Sequence, residues 1–332
     1  MRPLTAALIL IFACLLGCNA SNSAKAQESG RNQDSQQGID DPSLYLATRH
    51  FDERKAWTHM EKQVNFGFRV PGSSAHKACK EYIEAELQKQ CDAVEVQEFR
   101  MKLGGEDTRM WNIVGRFNVT AKRRVMLAAH WDTRPTADMN TKASKKLPIQ
   151  GANDGASGVS VLLELARVFN EHRPEVGLDL VFFDGEDYGP GLDMMFLGSK
   201  YYCNSMPDSE IATYNYGVLL DMVGDTDLVI RPENHSSNSV EVFLAAKALS
   251  DAMGYKVFRD SGALTIYDDH LSFIDRGMHF YDFIDFEYGP DNRYWHTTDD
   301  TIDNCSKESL KAIGEIVENL VFKFPDLYAP GS

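Results

Sequence analysis

The segment Asp179-Leu-Val-Phe-Phe-Asp-Gly-Glu-Asp-Tyr-Gly189 runs four strand-type residues, Leu180 to Phe183, straight into Asp184, Glu186 and Asp187. Like charges this close cost energy unless a cation lies between them. The chain offers three further groups that could share such a cation: His130-Trp131-Asp132, Asn153-Asp154-Gly155 and Leu220-Asp221. A lone imidazole, His296, stands in the polar loop Tyr294–Thr301. Carboxylates with imidazole suit zinc that keeps one position open. A carboxylate left over from the ligand set is then free to move a proton.

For these groups to meet, the elements between them must deliver them to one place. The pattern predicts a helix over Ala75–Gln90, with Ala78, Tyr82, Ile83 and Leu87 at helical spacing. Strands are expected at Val94–Arg100, Trp111–Phe117 and Val125–Ala129, then a long loop Asp132–Ala156. A helix over Gly158–His172 shows Val161, Leu162, Leu165 and Phe169 on one face. Leu178–Phe183 is nearly all apolar, as a strand covered on both sides should be. Strand Gly217–Leu220, helix Ser239–Met253, strand Phe280–Ile284 and helix Lys307–Phe324 complete the set. Alternating strands and helices imply a three-layer α/β sandwich with a mixed, mainly parallel central sheet and helices on both faces. Its first two strands are expected to form an antiparallel edge. In such sheets ligands bind beyond the carboxyl ends of the strands. His130, Asp184–Asp187 and Asp221 each follow a predicted strand, and Asn153-Asp154-Gly155 precedes a helix. All fall on that one rim.

The remaining composition narrows the function. With 332 residues, 43% hydrophobic and 25% charged, the chain is of ordinary globular type. A net charge of -15 argues against a nucleic-acid or anionic-membrane surface, which needs basic patches. No protein partner is evident. Cys79 and Cys91 would lie about 18 Å apart along and past a helix, too far for a disulfide. Nothing in the sequence pairs Cys203 with Cys305. Asp184 is expected to be a structural acid capping the turn.

The N-terminus reads differently. Arg2 precedes the apolar run Leu4–Leu16, which is too short for a stable membrane span and reads as a signal peptide. Leu15-Leu16-Gly17-Cys18 resembles a bacterial lipobox, which implies lipidation of Cys18 after cleavage. Residues 1–18 are thus expected to be a lipoprotein signal peptide. Residues 19–40, rich in Ser, Asn, Gln and Ala, are expected to be a disordered tether. Residues 41–332 would be one zinc-dependent catalytic domain. The protein would be exported, anchored by lipid to a membrane and facing the periplasm.

Taken together, His130-x-Asp132, Asn153-Asp154-Gly155-x-Ser157-Gly158, Glu186-Asp187, Asp221 and His296-Thr297 resemble the zinc-peptidase family. That family includes bacterial aminopeptidases and the glutaminyl cyclases of animals and bacteria. The motifs occur in the family's order, over roughly residues 50–325. In dinuclear aminopeptidases the resemblance implies Asp154 as the bridging ligand, with Asp187 and His296 on one metal and His130 and Asp221 on the other. Glu186 takes the place of the general base. The cyclases resemble single-zinc enzymes that use the positions of Asp154, Asp187 and His296.

Three features are similar to the cyclases in particular: Trp295 before His296, Asp268-Asp269-His270, and Leu219-Leu220-Asp221-Met222-Val223-Gly224. Two depart from the animal enzymes. These have Glu-Glu where this chain has Glu186-Asp187, and a tryptophan in the segment that here reads Tyr188–Phe196. The resemblance implies a glutaminyl-peptide cyclotransferase that turns N-terminal glutamine of peptides and proteins into pyroglutamate and ammonia. Glu186, Asp221 and Asp268 would be catalytic, and Trp295 would line the substrate pocket. Asp154, Asp187 and His296 would hold one zinc ion. His130 and Asp132 would serve a second metal or stand behind the first. The alternative within the family is a dizinc aminopeptidase.

Overall fold

The computed structural model describes residues 47–329, apart from Lys142. The signal peptide, Cys18 and the tether expected at residues 1–40 lie outside the described residues. Six strands form one sheet in the spatial order β1-β2-β4-β3-β5-β6. They are β1 (Ala93–Leu103), β2 (Glu106–Phe117), β3 (Arg124–His130), β4 (Gly177–Phe183), β5 (Tyr214–Asp221) and β6 (Phe280–Ile284). β1 pairs antiparallel with β2, and β2 with β4, while β3 to β6 are mutually parallel. This is the mixed, mainly parallel sheet with an antiparallel edge that the pattern predicts. Every residue of β3, β4, β5 and β6 is buried. That explains why Val125–Ala129, Leu180–Phe183 and Val218–Leu220 are continuous apolar runs rather than alternating ones.

The two faces are covered unequally. Val125, Leu127 and Ala129 point into the larger core with α1 (Glu53–Asn65), α2 (Ser74–Gln90), α3 (Ala156–Glu171), α5 (Val240–Met253) and α6 (Lys307–Lys323). Met126 and Ala128 point the other way, against α4 (Leu197–Ser205) and the single turn Leu271–Ile274. The period of two along β3 thus feeds both layers. No helix among the described residues is long and apolar enough to cross a membrane.

The pattern missed α1 because its buried stripe is thin: Ala56, Met60 and the polar Gln63. Gln63 earns its place by donating to Ala156 O and Ser160 Oγ of α3. Asp52 caps α1 by accepting from Arg54 N. The first two strands are longer than expected and form a continuous hairpin. Gly104 and Gly105, at φ +57° and +91°, make its two-residue turn, a left-handed conformation that glycine adopts without steric cost. Cys79, Cys91, Cys203 and Cys305 are all free thiols.

The connection order places the site. The chain leaves β3 through α3 to β4 on one side of it, then passes through α4 to β5 on the other. The strand order reverses about β3, which opens a crevice at the carboxyl ends of β3, β4 and β5.

Candidate active site

Each strand bordering the crevice ends in a functional group. β3 ends in His130, β5 ends in Asp221, and β4 is followed by Asp184–Asp187. The Asn153-Asp154-Gly155 turn is docked against the end of β5. Asn153 Oδ1 accepts from Gly224 N at 2.7 Å, and Ser157 Oγ accepts from Val223 N at 3.1 Å. Gly155 is required by close approach, since a Cβ there would lie 2.3 Å from His130 Nε2.

Asp154 is the centre of the arrangement. Its Oδ1 lies 3.1 Å from His130 Nε2 and its Oδ2 lies 3.7 Å from His296 Nε2. His296 Nε2 is also 3.3 Å from Asp187 Oδ1. Asp154, Asp187 and His296 are buried and present ligand atoms within 4.8 Å of one another. His130, Asp154 and Glu186 form a second such group. His130 Nε2 is 3.2 Å from Asp221 Oδ1, and its Nδ1 is 3.6 Å from both Asp132 Oδ1 and Glu186 Oε2.

Zinc fits the first group. Two carboxylates and an imidazole are its ordinary donors, and three protein ligands leave a position for substrate. Asp187 Oδ2 is buried without any hydrogen-bond partner, which an ion at this position would satisfy.

The electrostatics are those of acids forced together. Burial pushes the Glu186 carboxyl well above the usual range; His130 pulls it down, and Asp187, Asp268 and Asp269 push it up. Burial and the neighbouring Asp282, Asp221 and Asp269 hold Asp268 well above its ordinary value. Asp268 Oδ2 has no partner, and the same holds for both carboxylate oxygens of Asp269 and Asp282. Burial opposes a charge on His296, but Asp187, Asp138 and Asp154 outweigh it and raise its pKa to about 9. Trp295 stacks on His296 with ring centroids 3.8 Å apart and packs against Phe286.

Asp132 stands behind the site rather than in it. It accepts the backbone N–H groups of Glu186 and Asp187 at 3.0 and 3.3 Å, and so shapes the acidic turn. Asp184 differs from the turn cap expected. It is fully buried and pairs with His76 Nε2 at 2.8 Å while accepting from Trp111 N at 2.7 Å. It therefore ties β2 and α2 to the end of β4.

Several supporting residues escaped sequence reasoning. Asp300 accepts from Asn153 N at 2.9 Å, Asp154 N at 3.4 Å and Tyr288 Oη at 3.0 Å, which fixes the Asn-Asp turn. Its only signal was its place four residues after His296. His296 itself sits at φ +52°, a left-handed backbone imposed by its surroundings. Thr297 holds that turn by donating to Tyr294 O at 2.8 Å. Arg69 is buried and donates to Trp131 O, Gln150 O and Gly151 O, so it closes the base of the long loop after β3. Arg134 and Asp138, both in that loop, reach Asp187 and His296. His76 had no signal at all.

The sequence resembles known proteins over most of its length. Bovine glutaminyl-peptide cyclotransferase is 26% identical over 294 residues, covering 77% of this chain and 78% of that protein. The crystal structure of Tannerella forsythia glutaminyl cyclase is 38% identical, with a TM-score of 0.74, and the match covers 82% of this chain and 98% of that one. A Zn-dependent exopeptidase from Parabacteroides distasonis is 33% identical, with a TM-score of 0.78 over 83% of this chain and 99% of that one. Residues 112–321, which span β2 to α6 and every residue of the acidic rim, match the family model, and the chain belongs to peptidase family M28.

Proposed function

We infer that the protein is a glutaminyl-peptide cyclotransferase, acting on peptides and proteins with N-terminal glutamine. The observation that carries this reading is the buried acid Asp268, grouped with Glu186 and Asp221 beside the zinc donors. Cyclisation needs a proton moved from one nitrogen to another within a single substrate, and a cluster of carboxyls that share protons suits that task. The likeness to glutaminyl cyclases of cattle and Tannerella forsythia supports it.

In the reaction the α-amine nitrogen bonds to the γ-amide carbon of the same glutamine. The bond from that carbon to the amide nitrogen breaks, and ammonia leaves. The attack is intramolecular, so the site gains by holding one compact conformer. Asp154, Asp187 and His296 would hold one zinc ion per chain, which would supply Lewis-acid polarisation of the γ-carbonyl. The Glu186 carboxylate takes the amine proton and returns it to the departing nitrogen. Asp268 holds a neighbouring proton and, with Asp221 beside it, keeps Glu186 ready to accept one. Trp295 walls the glutamine side chain, and Asp132 keeps the Glu186–Asp187 turn in place.

A dizinc aminopeptidase is the second reading. It is favoured by one observation: Asp154 faces His130 with one oxygen and His296 with the other, as a bridging ligand would. Ammonia release from a Gln-peptide and amine release from a Leu-peptide, measured on one purified sample, separate the two. Release of ammonia with pyroglutamate is expected; Leu-peptide hydrolysis without it would overturn the cyclase.

The chain is further proposed to be an exported lipoprotein, anchored through Cys18 and facing the periplasm. The apolar run Leu4–Leu16 and the Leu15-Leu16-Gly17-Cys18 ending support this.

A further inference from the structure

The loop from Asp132 to Gly151 carries a guanidinium that the chemistry above does not use. Arg134 is only 4% exposed. Its Nη1 donates to Asp187 Oδ1. Its other edge grips Asp138, with Nε 3.0 Å from Oδ1 and Nη2 2.9 Å from Oδ2. Asp138 Oδ1 in turn lies 3.5 Å from His296 Nδ1, and His296 Nε2 returns to Asp187 Oδ1 at 3.3 Å. Four residues therefore close a ring, and two of them are zinc donors.

We propose that Arg134 is a positioning residue that locks Asp187 and His296 into one zinc-binding unit, using one edge of its fork for Asp187 and the other for Asp138. The surroundings are built to hold it. Gly189 sits at φ +52°, and a Cβ there would lie 2.5 Å from the guanidinium nitrogen Nη2. Ile149 N donates to Arg134 O at 3.2 Å, which fixes the backbone. The loop is also tied to the histidine turn directly: Met139 N donates to His296 O at 3.3 Å, and Asn140 Nδ2 to Thr298 Oγ1 at 2.9 Å. With Arg69 closing its base, the loop is a frame whose inner side is Arg134.

The chemistry of the residue matters. A planar fork can hold two carboxylates in fixed relative orientation, whereas an ammonium is a point charge on a flexible stem. A histidine ligand commonly leans on a carboxylate through its other nitrogen, and here that carboxylate is itself held by Arg134. The opposite role is also physically defined. A cation beside Asp187 repels zinc, so a guanidinium acting by charge alone would weaken the metal. The two roles predict opposite signs.

The inference rests on the zinc site rather than on the substrate, so it is tested without substrate. Metal-free full-length protein would be titrated with zinc against a chromogenic chelator, and with cobalt to read its visible absorption. Arg134→Met is expected to weaken zinc by about 10–100-fold and to change the cobalt spectrum, the usual effect of losing a ligand's support. Arg134→Lys should stay weakened, because charge without the fork does not restore the ring. Asp138→Asn should weaken zinc in the same direction, and it carries the test if thermal melting shows Arg134→Met to be unfolded. Unchanged or tighter zinc with an unaltered cobalt band in Arg134→Met, or in Asp138→Asn if that variant carries the test, would overturn the proposal. So would full recovery in Arg134→Lys.

Discussion

Replacing Glu186 with Gln and Asp187 with Asn separates the proposed proton carrier from the proposed zinc ligand one residue away. Glu186 is 6% exposed, and its side chain has a charged neighbour in His130 Nδ1 at 3.6 Å. The amide keeps its size, and removing its charge relieves repulsion from Asp187, Asp268 and Asp269. Folding and zinc content should therefore stay near normal. Turnover should fall by about 10²–10⁴, the usual worth of a general base, or about 2.7–5.5 kcal/mol in the barrier. Asp187→Asn acts differently. It removes one of the two carboxylate partners of the buried Arg134 and a proposed donor to zinc. Breaking one side of a buried ion pair costs on the order of 3–5 kcal/mol. A neutral amide is also a poor zinc ligand, so the metal should be lost. Both variants would be assayed by ammonia release from a Gln-peptide across a zinc titration, with metal content measured alongside. Asp187→Asn should partly recover with excess zinc, whereas Glu186→Gln should not. Full ammonia release by Glu186→Gln, or its rescue by zinc, would refute the role given to Glu186.

Four other outcomes are expected. His130→Ala should retain one zinc ion per chain by elemental analysis; a wild-type content of two, with one lost in the variant, would point to the aminopeptidase. Gly155→Ala places a methyl on the His130 ring and should destabilise the fold by about 1–3 kcal/mol, read by thermal melting. Burial depresses His59, whose Nδ1 lies 2.6 Å from Tyr82 Oη, from 6.5 to about 4, so the unfolded chain binds its proton first. Its contribution to stability is complete above pH 6.5 and is lost as pH falls from there toward about 4; the urea midpoint should drop less between pH 7 and about pH 5 in His59→Gln than in the wild type. Cys18→Ser should release the protein from membranes without changing turnover of the folded domain, and an unmodified Cys18 mass in native protein would defeat the anchoring proposal.

What the sequence determined by itself is the sheet and the identity of its rim. Leu180–Phe183 and Val125–Ala129 are apolar along their whole length, so they had to be covered strands, and the polar residues that end them had to lie at a carboxyl edge. His130, Asp187 and Asp221 were legible for that reason, and Asp154 because an Asn-Asp-Gly turn opens a predicted helix. The resemblance to a zinc-peptidase family then supplied roles that residue types alone left open. The tertiary structure decided the support. Asp184 reads as a structural acid capping its own turn, yet it pairs with His76 from α2 and the backbone of β2, more than seventy positions away in sequence. Asp300, Arg69, Arg134 and Asp138 lie in loops without periodicity, where no spacing rule says which way a side chain points. Only the folded chain brings the loop after β3 against the turn that holds His296. A charge there becomes a clamp because burial removes the water that would otherwise satisfy it.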